Sequence, residues 1–336
     1  MHSKREVKVD LIKIFACIGV VALHTVKMNK GILNLVIGLL ATTSIPLFFV
    51  INGYLMFRKD QISYKYAFRK IFRILIVCFS WEALHGLAFF LYYRESRNFL
   101  RSFILDFFQK GLFFHFWFMG ALIILYLILP LLRKLQRELP VKYKKLLFVF
   151  GTVCVIVDII MIVLQNPFIL KVAQSLRIWI WIFYYMLGGY IAVNRRCLIE
   201  KINNISMFAK NIIFISTILG LLIWQLVIGK IVYGKVMIEC NYGALPIIIA
   251  TISIFLYSIS LNKIKNDKRI TKMASVTMGI YIFHPFILAV LEKFIPVFVE
   301  GKWWMNILFW MIVVFLSGAI TMVVNCIPVL RQLIKL

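Results

Sequence analysis

The chain has 336 residues, 62% of them apolar and 15% charged, with a mean hydropathy of +0.93. A soluble domain is about half apolar and about a quarter charged, so these proportions exclude a water-soluble fold and make lipid the solvent for much of the surface. The 39 Lys and Arg against 13 Asp and Glu give a net charge of +26; they cluster between apolar runs, as membrane orientation signals do, and no nucleic-acid partner is expected.

A membrane-spanning helix needs about 20 apolar residues to cross about 30 Å of hydrocarbon. Ten candidates appear, near 9–28, 33–57, 72–93, 113–132, 146–164, 178–193, 211–228, 242–261, 274–296 and 304–328, the sixth of them short. The expected fold is an all-α membrane protein, a polytopic bundle of about ten transmembrane helices. Residues 1–336 are expected to form one transmembrane domain, with no soluble domain because no loop is long enough to build one. The first run follows Lys4, Arg5 and Lys8 as a signal peptide would. Asp10 and Lys13 interrupt it and no small-residue cleavage site follows, so it reads as a retained first helix. An even number of spans places both termini on one side. The loops on that side hold 26 basic residues against 11 opposite, which puts both termini in the cytoplasm. The six cysteines show no metal-ligand spacing and read as reduced packing residues, so no metal is expected.

An ionisable side chain inside a span costs about 2.5–3.5 kcal/mol and asks for a partner or a job. On the first helix Asp10 and Lys13 are three apart, and His24 lies eleven beyond Lys13. Eleven residues are close to three turns, so Lys13 and His24 share a stripe roughly 16 Å long. The second run, SIPLFFVINGYLMF, holds Pro46, Asn52 and Gly53 and is expected to be broken or kinked, lining a cavity. Next, KYAFRKIFRIL sets Arg69 and Arg73 on one face with Lys70 beside them, a spacing that suits phosphate, although plain positive-inside charge or attraction to anionic lipid is the stronger explanation of the spacing alone. The third run carries Glu82 and His85, spaced to share a proton. The fourth opens with His115 and Trp117 near the outer interface, where Trp117 taken alone fits the aromatic belt. Asp158 lies inside the fifth, and Tyr281 and His284 stand one turn apart in the ninth. Three histidines at mid to outer depth above a basic mouth suit a phosphorylated donor held below and proton transfer above. Neither a serine-nucleophile motif, a zinc signature, a P-loop nor a dinucleotide fingerprint occurs. On these residues alone, such a cavity serves group transfer or solute transport.

Six segments in order carry a family likeness: Asp10, Lys13 and His24; residues 48–54 (FFVINGY); Arg69 and Arg73; residues 115–118 (HFWF); residues 187–190 (LGGY); and residues 279–284 (GIYIFH). Together they resemble the integral-membrane acyltransferase family 3, whose members O-acylate bacterial surface glycans, including the O-acetyltransferases acting on enterobacterial common antigen and its like. The resemblance implies a multi-pass protein of the bacterial plasma membrane, in contact with membrane lipids. It implies acyl-CoA (acetyl-CoA) as donor substrate, with no permanently bound cofactor. The acceptor would be a hydroxyl of a cell-surface polysaccharide or its lipid-linked precursor. Carried over, His24 is the catalytic histidine, as base or acyl relay, with Asp10 and Lys13 beside it. Arg69, Arg73 and Lys70 hold the donor's phosphates, and Asn52, Glu82, His85, His115, Trp117, Tyr281 and His284 line the cavity. Two departures stand out: Lys13 occupies a position where the family usually has Arg, and Asn52 one where it has Ser. The neighbouring readings are an O-succinyltransferase of biofilm polysaccharide and a transporter or flippase of the serine-export type, whose appended racemase domain has no counterpart here.

Overall fold

The computed structural model describes residues 6–94, 98–111, 113–261, 267–297 and 301–334. Among them all regular structure is helical, and each of the ten apolar runs expected to be a pass is helical. The passes are α1 (Val7–Thr25), a broken pair α2 (Ile32–Ala41) and α3 (Ser44–Phe57), α4 (Tyr64–Tyr93), α6 (Trp117–Glu138), α7 (Pro140–Val163), α8 (Ile178–Val193), α10 (Met207–Tyr233), α11 (Leu245–Ser260), α13 (Thr277–Phe294) and α14 (Trp303–Cys326). Short helices α5 (Phe99–Asp106), α9 (Arg195–Asn203), α12 (Asp267–Ser275) and α15 (Pro328–Gln332) lie between or after them. Seven segments are long and apolar enough to cross a membrane by length and composition. The protein is a multi-pass membrane protein.

Lipid-facing and core-facing stripes separate as helical periodicity requires. On α10, Phe208, Ile212, Ile215, Leu219 and Ile223 are exposed, whereas Leu221, Gln225 and Gly229 are buried. With 16 residues α8 rises about 24 Å, less than the hydrocarbon thickness. Ten of those residues are buried, so protein rather than lipid surrounds it.

The second pass breaks at Thr42 and Thr43, two residues before α3 begins to carry Pro46 inward. A proline ring clashes with the carbonyl four residues earlier, here that of Thr42, while Pro46 itself sits in the first turn of α3, where an N–H is not required. The freed groups are met locally: Thr42 Oγ1 donates to Leu39 O (2.6 Å), Thr43 Oγ1 to Leu40 O (2.9 Å) and Gln225 Nε2 to Leu39 O (3.2 Å). The break therefore precedes the proline rather than falling on Asn52 and Gly53.

The tightest helix pair is α3 with α8. A Cβ on Gly53 would come within 2.0 Å of Tyr185 O, and one on Gly188 within 2.1 Å of Val50 O. The two glycines let the backbones touch, as small residues do where helices meet in lipid.

Contacts between loops sort the bundle into two ends. At one, Arg133 Nη2 donates to Lys59 O (3.1 Å), Lys8 Nζ to Ile259 O (2.9 Å), and Arg58 and Arg195 meet Glu6. At the other, Arg177 Nη1 donates to Glu239 O (2.6 Å) and the Gln174 amide to Gln109 Oε1 (3.0 Å). The first is the basic end of the sequence assignment; Lys4, Arg5, Lys263, Lys265 and Lys335 of that set, and Arg97 of the opposite one, lie outside the described residues.

Candidate active site

A cavity of about 600 Å³ runs along α1 between α3, α4, α6, α12 and α13. At the basic end its wall includes Glu6, Asp10, Lys13, Arg58 and Lys70; at the far end it includes His24, His115, Trp117 and Tyr281. Eighteen residues of α1 separate Glu6 from His24, a rise of about 27 Å. Halfway along, Asn52 reaches the wall from α3 and accepts a hydrogen bond from Tyr126 OH (3.2 Å).

His24 sits in the last turn of α1 and its ring stacks on His284 (centroids 5.4 Å, 28° between planes), with Phe114 edge-on at 5.3 Å. His115 lies 5.6 Å from His284. Three imidazoles from three separate helical segments thus form one cluster. His284 Nδ1 is 3.1 Å from Ile280 O, which assigns the proton to Nδ1 and leaves Nε2 an acceptor. That Nε2, and both ring nitrogens of His115, are buried with no protein partner among the described residues.

The turn carrying His115 is fixed from both sides. Tyr281 OH donates to the His115 carbonyl, and the Tyr281 ring stands edge-on to the imidazole at 5.0 Å. Upstream, Phe113 stacks on Phe116 (4.6 Å), and the Phe113 amide donates to Asp106 Oδ1 (2.8 Å). Asp106 is fully buried at the end of α5 beside Glu82. Burial, and then the Glu82 carboxyl, push the Asp106 carboxyl up to about 8, against the pull of the Phe113 amide.

Sequence-selected residues divide accordingly. Asp10, Lys13, His24, Asn52, Lys70, His115, Trp117 and Tyr281 line the cavity. Trp117 is 5% exposed and packs on Trp181 (5.3 Å), so it is a wall residue rather than part of an interfacial belt. Arg69 and Arg73 do not line it. They are four apart on α4, Arg69 is exposed, and Arg73 Nη2 donates to Gln332 O (2.6 Å). Lys70, about 100° further round the helix, is the member of the trio that reaches the cavity. His284 stands behind His24 rather than on the wall. Glu82 pairs with Asp106, and His85 lies among the rings of Phe89, Phe113 and Phe286. Asp158 is buried in α7, with Oδ1 lacking a protein partner among the described residues and no place in this wall.

The family model described as an acyltransferase domain, acyltransferase family 3, matches residues 6–326. The chain belongs to that family. Among curated proteins and among solved structures nothing matches this acyltransferase with significance. Its family motifs take on distinct physical meanings in the fold. Gly53 of FFVINGY and Gly188 of LGGY pack α3 and α8 together, whereas His24, His115 and His284 bring three motifs into one chemical cluster. Glu6, Arg58 and Arg195 of the acyltransferase were not singled out in the sequence for any chemistry. An acidic residue standing among basic ones at the mouth of the first helix was the signal available.

Proposed function

We propose that this acyltransferase moves an acetyl group from cytoplasmic acetyl-CoA to a hydroxyl of a cell-surface polysaccharide or its lipid-linked precursor. In this reading it lies in a bacterial plasma membrane with both termini in the cytoplasm. The observation that carries the reading is the single cavity joining a basic mouth to an imidazole cluster about 27 Å along α1. Phosphates of the donor stay among the cations at the mouth, near Lys13 and Lys70, while the pantetheine arm lies along α1 and delivers the thioester to His24. His24 accepts the proton of the acceptor hydroxyl as its oxygen attacks the thioester carbonyl. The C–S bond then breaks, and the thiolate leaves with the proton held by the imidazolium. His284, stacked on His24, orients that ring. Asn52 and Trp117 shape the wall along which the arm lies.

The test is reconstitution in liposomes with radiolabelled acetyl-CoA and a membrane fraction bearing surface glycan. Wild type transfers label to glycan, and His24→Ala transfers it about 10²–10⁴ times more slowly, the usual range for loss of a general base. Equal rates would remove His24 from the chemistry. Solute counterflow without any need for acyl-CoA would support the transporter reading instead.

A further inference from the structure

Away from the histidines, charged side chains gather where α1 begins, α3 ends and α9 begins. Glu6 Oε1 accepts from two guanidiniums, Arg58 Nη1 at 3.0 Å and Arg195 Nη2 at 3.3 Å, while Tyr54 OH donates to Oε2 at 2.9 Å. Arg195 Nε is buried without a protein acceptor among the described residues. A second cavity, of about 580 Å³, opens beside this knot and is lined by Arg58, Asn194, Arg195, Arg196 and Cys197. Arg58 belongs to the walls of both cavities, so the second adjoins the first at the basic mouth. Glu6 contacts two of these arginines and Arg196 lines the cavity beside them, leaving an excess of positive charge next to open space.

We propose that Arg58 and Arg195, with Arg196 beside them, form a phosphate-ester clamp for the acyl donor, and that Glu6 occupies it until the donor's phosphate displaces the carboxylate. The proposal rests on the donor reading given above and adds this corner to Lys13 and Lys70 as a seat for one of the donor's phosphates, in place of Arg69 and Arg73. Guanidinium forks fit carboxylate and phosphate alike, so Glu6 marks the geometry an incoming anion would take. Position favours the donor over an anionic lipid headgroup, which offers the same phosphate chemistry. The Arg58, Arg195 and Glu6 side chains are recessed, at 24%, 34% and 16% exposure, and their site continues into the cavity that leads to His24.

Equilibrium binding of CoA to the full-length protein in phosphatidylcholine nanodiscs tests this. Arg58→Gln and Arg195→Gln should each weaken binding about tenfold, the scale of one hydrogen bond to a charged group. Glu6→Gln should tighten it about threefold, with the competing anion removed, a direction that structural damage does not produce. If wild type binds CoA and all three variants bind it equally well, or if Glu6→Gln weakens it, the clamp is refuted while the donor reading stands. If wild type binds no CoA, the donor reading itself fails. A third arm adds phosphatidylglycerol to the nanodisc. If that lipid raises the melting temperature of wild type but not of Arg195→Gln, and CoA binding ignores the substitution, the site belongs to a headgroup and the proposal is overturned.

Discussion

Replacing Gly188 by Ala adds one methyl group where two backbones touch. That carbon would lie 2.1 Å from Val50 O and 2.8 Å from Tyr54 N, whereas ordinary contact begins at 3.4 Å. The shortfall, about 1.3 Å, falls on main-chain atoms that cannot rotate aside, so α3 and α8 must move apart. Overpacking of this kind costs about 1–3 kcal/mol, offset by less than about 1 kcal/mol of gained helix propensity. The separation also disturbs the Phe49–Trp181 stack (4.6 Å) behind the cavity wall. Gly220 on α10 is the control, since a Cβ there meets nothing within 4 Å. The assay is the temperature at which half of the detergent-solubilised protein loses its monodisperse chromatography peak. Gly188→Ala should lower it by several degrees, and Gly220→Ala should leave it unchanged or raise it. Equal behaviour of the two variants would refute the account of α3–α8 contact.

Asp106 makes stability depend on pH. Its folded carboxyl titrates near 8 against 3.8 ordinarily, so the folded state holds the proton more tightly; the stability this contributes is full below about pH 4 and is lost as pH rises toward 8. Asp106→Asn keeps a neutral side chain and an acceptor for the Phe113 amide, and melting curves at pH 5, 7 and 9 should show a flatter decline than wild type. Tyr281→Phe removes the donor to the His115 carbonyl and should lower the acyl-transfer rate roughly tenfold, the scale of one hydrogen bond, with little change in donor binding. Replacing His115 by Phe removes two buried nitrogens with no protein partner; the protein should melt at the same or a higher temperature while transferring acyl groups at least about tenfold more slowly.

The passes were legible because a chain this apolar cannot hide its surface from water, and the ten predicted runs match helices, seven of them long and apolar enough to cross a membrane. The break in the second pass was legible in kind, through Pro46, but its position follows from the clash with the Thr42 carbonyl and not from the polar Asn52. Arg69 and Arg73 were correctly seen to share a face. Which way that face points depends on the packing of α4 against α6, and spacing does not carry that information. Likewise Glu82 and His85 are neighbours in the helix repeat, yet Glu82 meets Asp106 from a segment some twenty residues on. The convergence of His24, His115 and His284 joins positions more than two hundred residues apart, and helical periodicity is silent about contacts of that range.

Those imidazoles also bear on how the cluster should be understood. Each buried nitrogen without a partner costs about 1–3 kcal/mol, and His115 and His284 hold three of them. Phe113, Phe114 and Phe116 surround the site, so an aromatic ring without nitrogen would fit the same space more cheaply. Packing therefore does not account for histidine here. The nitrogens of His115 belong to a cavity-wall residue, and the imidazole of His284 lies against that of His24, which lines the cavity. In the proposed reading, an acceptor hydroxyl approaching His24 would enter a region furnished with imidazole nitrogens that have no protein partner among the described residues. Unpartnered nitrogens gathered on a cavity wall call for a reason other than packing, and the acyl-transfer reading supplies one, since it needs proton acceptors at that depth.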